Sequence, residues 1–342
     1  MTKASMKSHI KAISYYLPPK AVTNDDLAGE FPGLKIDDLT RLTGVKTRYV
    51  AGSDETAADL AFRAATKLFA EHGISPDDID HLLFCTQGTD YITPSTSCLL
   101  QERLGIAETA GTLDINQGCT GYIYGLSIAN GLIATGNARN VLLLTSVTIS
   151  QKIHPADKSN RAIFGDGAAA SLISVSENEN TGLGHFIFGT DGKGYDAIII
   201  KHGGARFPTH VFPARDYTDA NGNIRNDRNF YMNGAAVFTF SVEKTPKMIR
   251  ELLGKAGLSE DDIDLYVLHQ ANRIILESIF RKLKVPESKS LYHLENCGNT
   301  VSSTIPIALY HAIADGRVKK GDTLVLAGFG VGFSWAGCIL RY

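Results

Sequence analysis

Two stretches of the chain repeat one pattern of apolar and polar positions. Residues 61–75, AFRAATKLFAEHGIS, and 245–259, TPKMIRELLGKAGLS, each space apolar residues at helical intervals and then reach a glycine, Gly73 or Gly257. The spacing predicts an amphipathic helix with the glycine at its C-terminal cap. The segments that follow, PDDIDHLLFCTQG (76–88) and EDDIDLYVLHQAN (260–272), align without gaps at an offset of 184 residues, 260 against 76. An acidic turn leads each into a continuous apolar run, the pattern of a strand buried on both faces.

A looser echo follows in each half. GCTGYIYGLSIANGLIATGNARNVLLLTS (118–146) and GNTVSSTIPIALYHAIADGRVKKGDTLVLAG (298–328) both read as a small-residue turn, a helix, a Gly-containing turn and a strand. These echoes predict an α/β protein of two similar halves, 1–175 and 176–342, packed as one body. Chance likeness between amphipathic helices is the competing explanation, and the ungapped D-D-I-D match weighs against it. The repeat superposes Cys85 on His269 and Cys119 on Asn299. His269 then ends a buried strand, while Cys119 and Asn299 each open a helix, and such ends can converge on one cleft.

Composition narrows the function classes. The chain has 342 residues, 44% hydrophobic and 20% charged, with a formal net charge of -2. That is a globular composition with no electrostatic case for nucleic acid or an anionic membrane as partner. No apolar run reaches membrane-spanning length and Met1 to Lys11 lacks a signal-peptide core, so a cytoplasmic location is expected. Five cysteines, an odd number without a C-x-x-C pair, argue against disulfides and a structural zinc site.

Candidate chemistry centres on Cys119, set between Gly118 and Gly121. A cysteine at a helix N-terminus meets free N–H groups and the positive end of the dipole, which lower a thiol pKa from about 8.5. Its own N–H is a candidate oxyanion donor. The plainer reading, a small buried hydrophobe, suits Cys85, Cys98, Cys297 and Cys338 better. His269 in YVLHQAN reads either as a satisfied core residue or as a catalyst at a strand end, and Asn299 either as a helix N-cap or as a site residue. FGDGAAASLI (164–173) lacks the phosphate-loop lysine, so it reads as a turn feeding a strand. GFGVGFSW (328–335) reads as a glycine-rich loop offering backbone N–H groups. The cations Arg273, Arg281, Lys282 and Lys284 form either a solvated helix face or a dock for an acidic protein.

Taken in order, GCTG, FGDGAAA, LHQAN, CGNTVSSTIP and GFGVGFSW, with LTGVKTR (42–48) and GGARFP (203–208), resemble the β-ketoacyl-acyl-carrier-protein synthase III family over nearly the whole chain. The resemblance implies a thiolase-like αβαβα fold built from two pseudo-duplicated halves, a homodimer, and no metal or redox cofactor. It implies a catalytic triad of Cys119, His269 and Asn299. Cys119 would take an acyl group from acyl-CoA or an acyl carrier protein, with the N–H groups of Cys119 and Val331 holding the oxyanion. Malonyl-acyl carrier protein would then enter, and neutral His269 and Asn299 would stabilise the enolate left as carbon dioxide departs. By the same resemblance Phe329 borders the malonyl site, Asn272 contacts the pantetheine arm, and Arg281 and Lys282 belong to the carrier-protein dock.

The chain departs from the family pattern at three places. Asp38 and Leu42 stand where a tryptophan and an arginine commonly hold the adenine of coenzyme A, which implies weak use of CoA esters. Thr93 replaces a bulky phenylalanine that caps the partner subunit's acyl pocket, which implies room for primers longer than acetyl. Ile274 replaces an arginine two residues after HQAN, with Arg273 one place early, which alters the carrier dock. The rival readings are a polyketide or alkylresorcinol-type synthase, an acyltransferase on this fold, and a non-catalytic acyl-binding protein.

Overall fold

A computed structural model of the chain describes residues 7–178, 180–220 and 222–342. Strand β1 (Ser8–Tyr16) precedes a ribbon of β2 (Lys20–Thr23) and β3 (Thr47–Val50), with helices α1 (Asn24–Glu30) and α2 (Ile36–Thr43) between them. Then come α3 (Ala57–His72), β4 (His81–Cys85), α4 (Thr96–Arg103), β5 (Gly111–Ile115), α5 (Gly121–Ala134), β6 (Asn140–Val147), α6 (Lys158–Arg161) and β7 (Gly167–Val175). After β8 (Gly182–Thr190) the chain makes an excursion through four two-residue strands. These are β9 (Ile198–Ile199), β10 (Tyr217–Thr218), β11 (Ile224–Arg225) and β12 (Tyr231–Met232). It ends with α7 (Gly234–Ala256), β13 (Leu265–Leu268), α8 (Arg273–Leu283), α9 (Thr304–Ala314), β14 (Thr323–Gly330) and β15 (Ser334–Arg341).

The duplication is visible in four corresponding strands of two sheets. One sheet has the order β1-β7-β6-β4-β5 and the other β8-β15-β14-β13. β4 runs parallel to β5 and β6, β13 runs parallel to β14, and the remaining pairs in both sheets are antiparallel. Beyond β13, where the first sheet places β5, a single parallel bridge joins Tyr266 to Ser290. The matching helices α3 and α7 end as their glycines predict, with Gly73 at φ 61° and Gly257 at φ 67°. Helix α7 begins well before residue 245 because the Asn233 side chain accepts from the Ala236 N–H and caps it there.

Three cores define five layers. Helix α3 packs the Ala and Leu residues of one face against the outside of the first sheet. Between the sheets lie α5 and α9, whose Ile123, Leu126, Ile305 and Leu309 meet Leu83 and Leu143 from one side and Val267 and Leu326 from the other. On the outside of the second sheet α7 and α8 bury Ile249, Leu252, Leu276 and Ile279. The order is helix, sheet, helix, sheet, helix. Helices α5 and α9 are buried nearly all round, which suits their almost wholly apolar sequences.

The excursion is tied down by a buried ion pair. Arg225 reaches Asp157 at 2.7 Å and Asp219 at 2.6 Å, and Asp157 also caps α6 by accepting from Asn160 N–H. This brings Phe230 and Met232 back against the body. The segment 328–335 is a hairpin rather than the open loop its glycines suggest, because β14 continues to Gly330 and β15 starts at Ser334.

Candidate active site

Cys119 lies two residues before α5, in the turn closed by Gly121 N–H donating to Gly118 carbonyl. Its surroundings leave no room for side chains. A Cβ on Gly328 would come within 2.6 Å of the Cys119 carbonyl, and one on Gly330 within 2.7 Å of Sγ. One on Gly118 would meet Gln87 Oε1 at 2.6 Å. Glycines therefore let the end of β14 pass directly beside the thiol. There the backbone N–H groups of Val331 and of Cys119 itself lie near enough to the thiol to favour its anion.

Burial, however, reverses the expected acidity. It pushes the Cys119 thiol up to about 11, and the two N–H groups pull it only part of the way back. The sequence-based expectation of a lowered pKa fails because desolvating a thiolate costs more than one helix terminus returns.

His269 follows β13 and extends its ladder, donating its N–H to Ala327 carbonyl at 2.8 Å. Burial lowers its pKa to about 3, so the ring is neutral across the physiological range. Its Nδ1 lies 2.6 Å from Thr304 Oγ1, and Phe329 meets the ring edge-on at 5.6 Å between centroids. Asn299 is not a helix N-cap. Its Oδ1 accepts from Val301 N–H at 2.9 Å, its Nδ2 donates to Ala271 carbonyl at 3.2 Å, and the second Nδ2 proton is left for a ligand. Val301 takes this role at φ 55°, a strained backbone for a β-branched residue.

Cys119, His269 and Asn299 line one narrow cavity together with Asn272, Phe329 and Val331. Its remaining walls are mainly apolar, including Ile149, Phe164, Ile198, Phe230 and Met232. A second space shares Gln87, Ile149, Ile198, Phe230 and Val331 and continues past Val147, Thr148 and Lys152. A nucleophile with two N–H donors beside it, an imidazole and an amide donor thus face one apolar chamber. That is an arrangement for acyl transfer.

Comparison with known proteins agrees. Sequence models described as 3-oxoacyl-[acyl-carrier-protein (ACP)] synthase III and its C terminal match residues 113–192 and 253–342. The β-ketoacyl-[acyl-carrier-protein] synthase III 2 of Halalkalibacterium halodurans is 35% identical over 98% of this chain and 97% of its own. The chain belongs to the synthase III family. A 2.1 Å crystal structure of a 3-oxoacyl-(acyl-carrier-protein) synthase III is 47% identical and superposes with a TM-score of 0.96, covering 98% of this chain and 100% of its own. The priming β-ketosynthase of the R1128 polyketide pathway is 28% identical with a TM-score of 0.88, over 99% and 97% of the two chains.

In this synthase III chain the outlying candidates fall into two groups. Asn272 serves both as a chamber wall and as the N-cap of α8, its side chain accepting from Ile275 N–H at 2.9 Å. Arg273, Arg281 and Lys282 are exposed on α8, but Arg273 is paired with Glu277 at 2.8 Å. The open groove beside Arg273 and Arg281 also holds Glu287 and Glu295, so the basic patch is diluted by acids. Thr93 is exposed on the loop before α4, outside the walls of both spaces. Asp38 is exposed and paired with Arg41 at 3.2 Å, and Leu42 beside it is 41% exposed.

Three contributors were not singled out from sequence: Thr304, the Ala271 carbonyl and the Val301 N–H. Thr304 stands in a visible Ser-Ser-Thr run, but only the packing of α9 against β13 identifies it as the partner of His269.

Proposed function

We propose that the chain performs a decarboxylating Claisen condensation, joining an acyl primer to malonyl-acyl carrier protein and releasing 3-oxoacyl-acyl carrier protein, carbon dioxide and the donor's thiol. The observation that carries this reading is the pairing, in one chamber, of a nucleophilic cysteine with two separate donors, His269 and Asn299. Acyl transfer alone needs no enolate donor, whereas decarboxylation does.

The resting pair is a neutral thiol and a neutral imidazole. In acylation the Cys119 proton passes to the departing thiolate through His269, the one imidazole among the described residues that line the chamber. The N–H groups of Cys119 and Val331 receive the oxyanion. In condensation the C–C bond to the malonyl carboxylate breaks, and its electrons form an enolate whose oxygen takes hydrogen bonds from His269 Nε2–H and Asn299 Nδ2. The carbanion attacks acyl-Cys119 and frees the thiolate, which takes up a proton from solvent to regain the resting thiol. Thr304 suits both steps, since its single hydroxyl proton has two acceptors in reach, Nδ1 at 2.6 Å and Val301 carbonyl at 3.1 Å. Donation to Val301 leaves Nδ1–H facing Thr304 and a lone pair on Nε2, while donation to Nδ1 leaves Nε2 protonated.

A homodimer is favoured by the open edge of β5 with exposed Leu113 and by Tyr91 and fully exposed Ile92 nearby. In such a dimer Thr93 would face a partner's acyl pocket and leave room for longer primers. Arg281 and Lys282, without acidic partners among the described residues, are the better candidates for the carrier dock, and Asn272 for the pantetheine arm. Exposed Asp38 supports a donor other than a CoA ester. Among the described residues no helix is long and apolar enough to cross a membrane. A priming role in polyketide assembly is the second reading, favoured by the likeness to the R1128 enzyme.

Intact-protein mass after incubation with acetyl, octanoyl and longer thioesters, each on CoA and on carrier protein, tests the proposal. The expected adduct requires Cys119 and disappears with carbon dioxide release when malonyl-acyl carrier protein is added. An adduct that survives the chase would mean acyl transfer to another acceptor, and no adduct from any donor would end the assignment.

A further inference from the structure

Arg48 is a buried guanidinium with no acid to balance it. It projects inward from β3, is only 1% exposed, and forms no ion pair among the described residues. Asp26 influences it only at longer range, and burial lowers it to about 10, still charged at neutral pH. Its three partners are neutral oxygens: Asn24 Oδ1 at 2.7 Å, Ala162 carbonyl at 3.0 Å and Val22 carbonyl at 3.3 Å. Its Nε has no partner. A buried, unpaired cation is costly, so its retention calls for a gain elsewhere in the molecule.

That gain is found in what lies against it. A Cβ on Gly165 or on Gly298 would each come 3.2 Å from Arg48 Cβ, so two glycine backbones close over its stem. These flank the isolated parallel bridge between Phe164 and Asn299, which holds the backbone of the site amide. Asn299 N–H donates to Ile163 carbonyl at 2.9 Å, and Gly165 N–H donates to Asn299 carbonyl at 3.1 Å. The β3 backbone clamps both neighbours, with Thr47 N–H on Glu295 carbonyl at 3.0 Å and Tyr49 carbonyl accepting from Asp166 N–H at 2.8 Å.

We propose that Arg48 is a positioning residue which, by binding the Ala162 carbonyl and filling the slot between Gly165 and Gly298, sets the backbone from which Asn299 presents its amide to the enolate. The proposal rests on the reading of Asn299 as an enolate donor. Cys119 hangs from a different element, the turn before α5, which none of the Arg48 contacts touches, so Arg48 governs decarboxylation and not acylation.

Arg48→Met keeps the stem and removes the donors. It is compared with Asn299→Ala and with the double variant in two assays, acylation of Cys119 by intact mass and carbon dioxide release from malonyl-acyl carrier protein. The expected result is acylation within about threefold of the parent and decarboxylation lower by about 10²-fold, the cost of an ångström-scale misplacement. In the Asn299→Ala background Arg48→Met should add almost nothing, because both act through one amide. Equal loss in both half-reactions, or losses that multiply in the double variant, would overturn the role. Should Arg48→Met not fold, Arg48→Lys keeps charge and stem without the fork. There a split between the half-reactions supports the proposal, and parallel loss or none overturns it. Normal decarboxylation by Asn299→Ala would instead remove the assignment of Asn299 itself.

Discussion

Replacing Gly330 by alanine tests the oxyanion site most directly. The new Cβ would stand 2.7 Å from Cys119 Sγ and 2.9 Å from its Cβ, where ordinary contact needs more than 3.4 Å. A displacement approaching 1 Å must therefore fall on the thiol, on the hairpin carrying Val331 N–H, or on both. Neither side yields easily. Gly328 is pressed against the Cys119 carbonyl one pleat earlier, and Cys119 is fixed at the start of a buried helix. Gly330 also sits at φ 154°, where alanine adds backbone strain of roughly 1–3 kcal/mol. Losing one oxyanion donor costs about 10²–10³-fold in rate, and misplacing the nucleophile adds to that. The expected outcome for Gly330→Ala is acylation of Cys119 slower by about 10²–10³-fold, followed by rapid-quench and intact mass, with the fold retained by circular dichroism. Carbon dioxide release from malonyl-acyl carrier protein should suffer less, because Asn299 is held by Ala271 and Val301, and His269 bonds β14 at Ala327, three residues before Gly330. Acylation within about threefold of the parent would refute the placement of the Val331 N–H over Sγ.

Two further outcomes follow from the same geometry. Thr304→Val removes the hydroxyl beside His269 Nδ1 and should slow decarboxylation by about 10²-fold, the lower end of what a positioned proton-transferring group contributes, while Thr304→Ser retains most of the activity. Equal rates for the two variants would show that the hydroxyl does not set the tautomer. Acid should destabilise the fold through the buried histidines. His269 and His293 are held near 3 and near 4 against an ordinary value of 6.5, by burial in both cases and by His311 beside His293. Between those values the unfolded chain binds more protons, so stability rises with pH up to about 6.5 and falls below it, by at most about 1.4 kcal/mol per pH unit for each group. Thermal midpoints measured from pH 7 to 4 should decline, less steeply in His293→Asn, and a flat profile would contradict the burial of both rings.

The two halves, the strand before His269 and the helices after Cys119 and Asn299 were all legible along the chain. They rest on short-range physics: apolar spacing, cap residues such as Gly73 and Gly257, and glycines where the backbone must turn. The repeat even set Cys119 opposite Asn299 and put His269 at the end of a strand matching the one that ends at Cys85, because corresponding elements end at corresponding places. The sign of the Cys119 shift was not legible. A helix start promises a stabilised thiolate, but how much water the thiol loses depends on β14, more than two hundred residues away. The same holds for Thr304 beside His269, for Ala271 carbonyl holding Asn299, and for Arg48, an unremarkable basic residue of LTGVKTR until two glycine backbones enclose it. Periodicity and capping are decided by neighbours in sequence. Desolvation, the orientation of a tautomer and the placement of an amide are decided by neighbours in space, and only the packed layers bring those together.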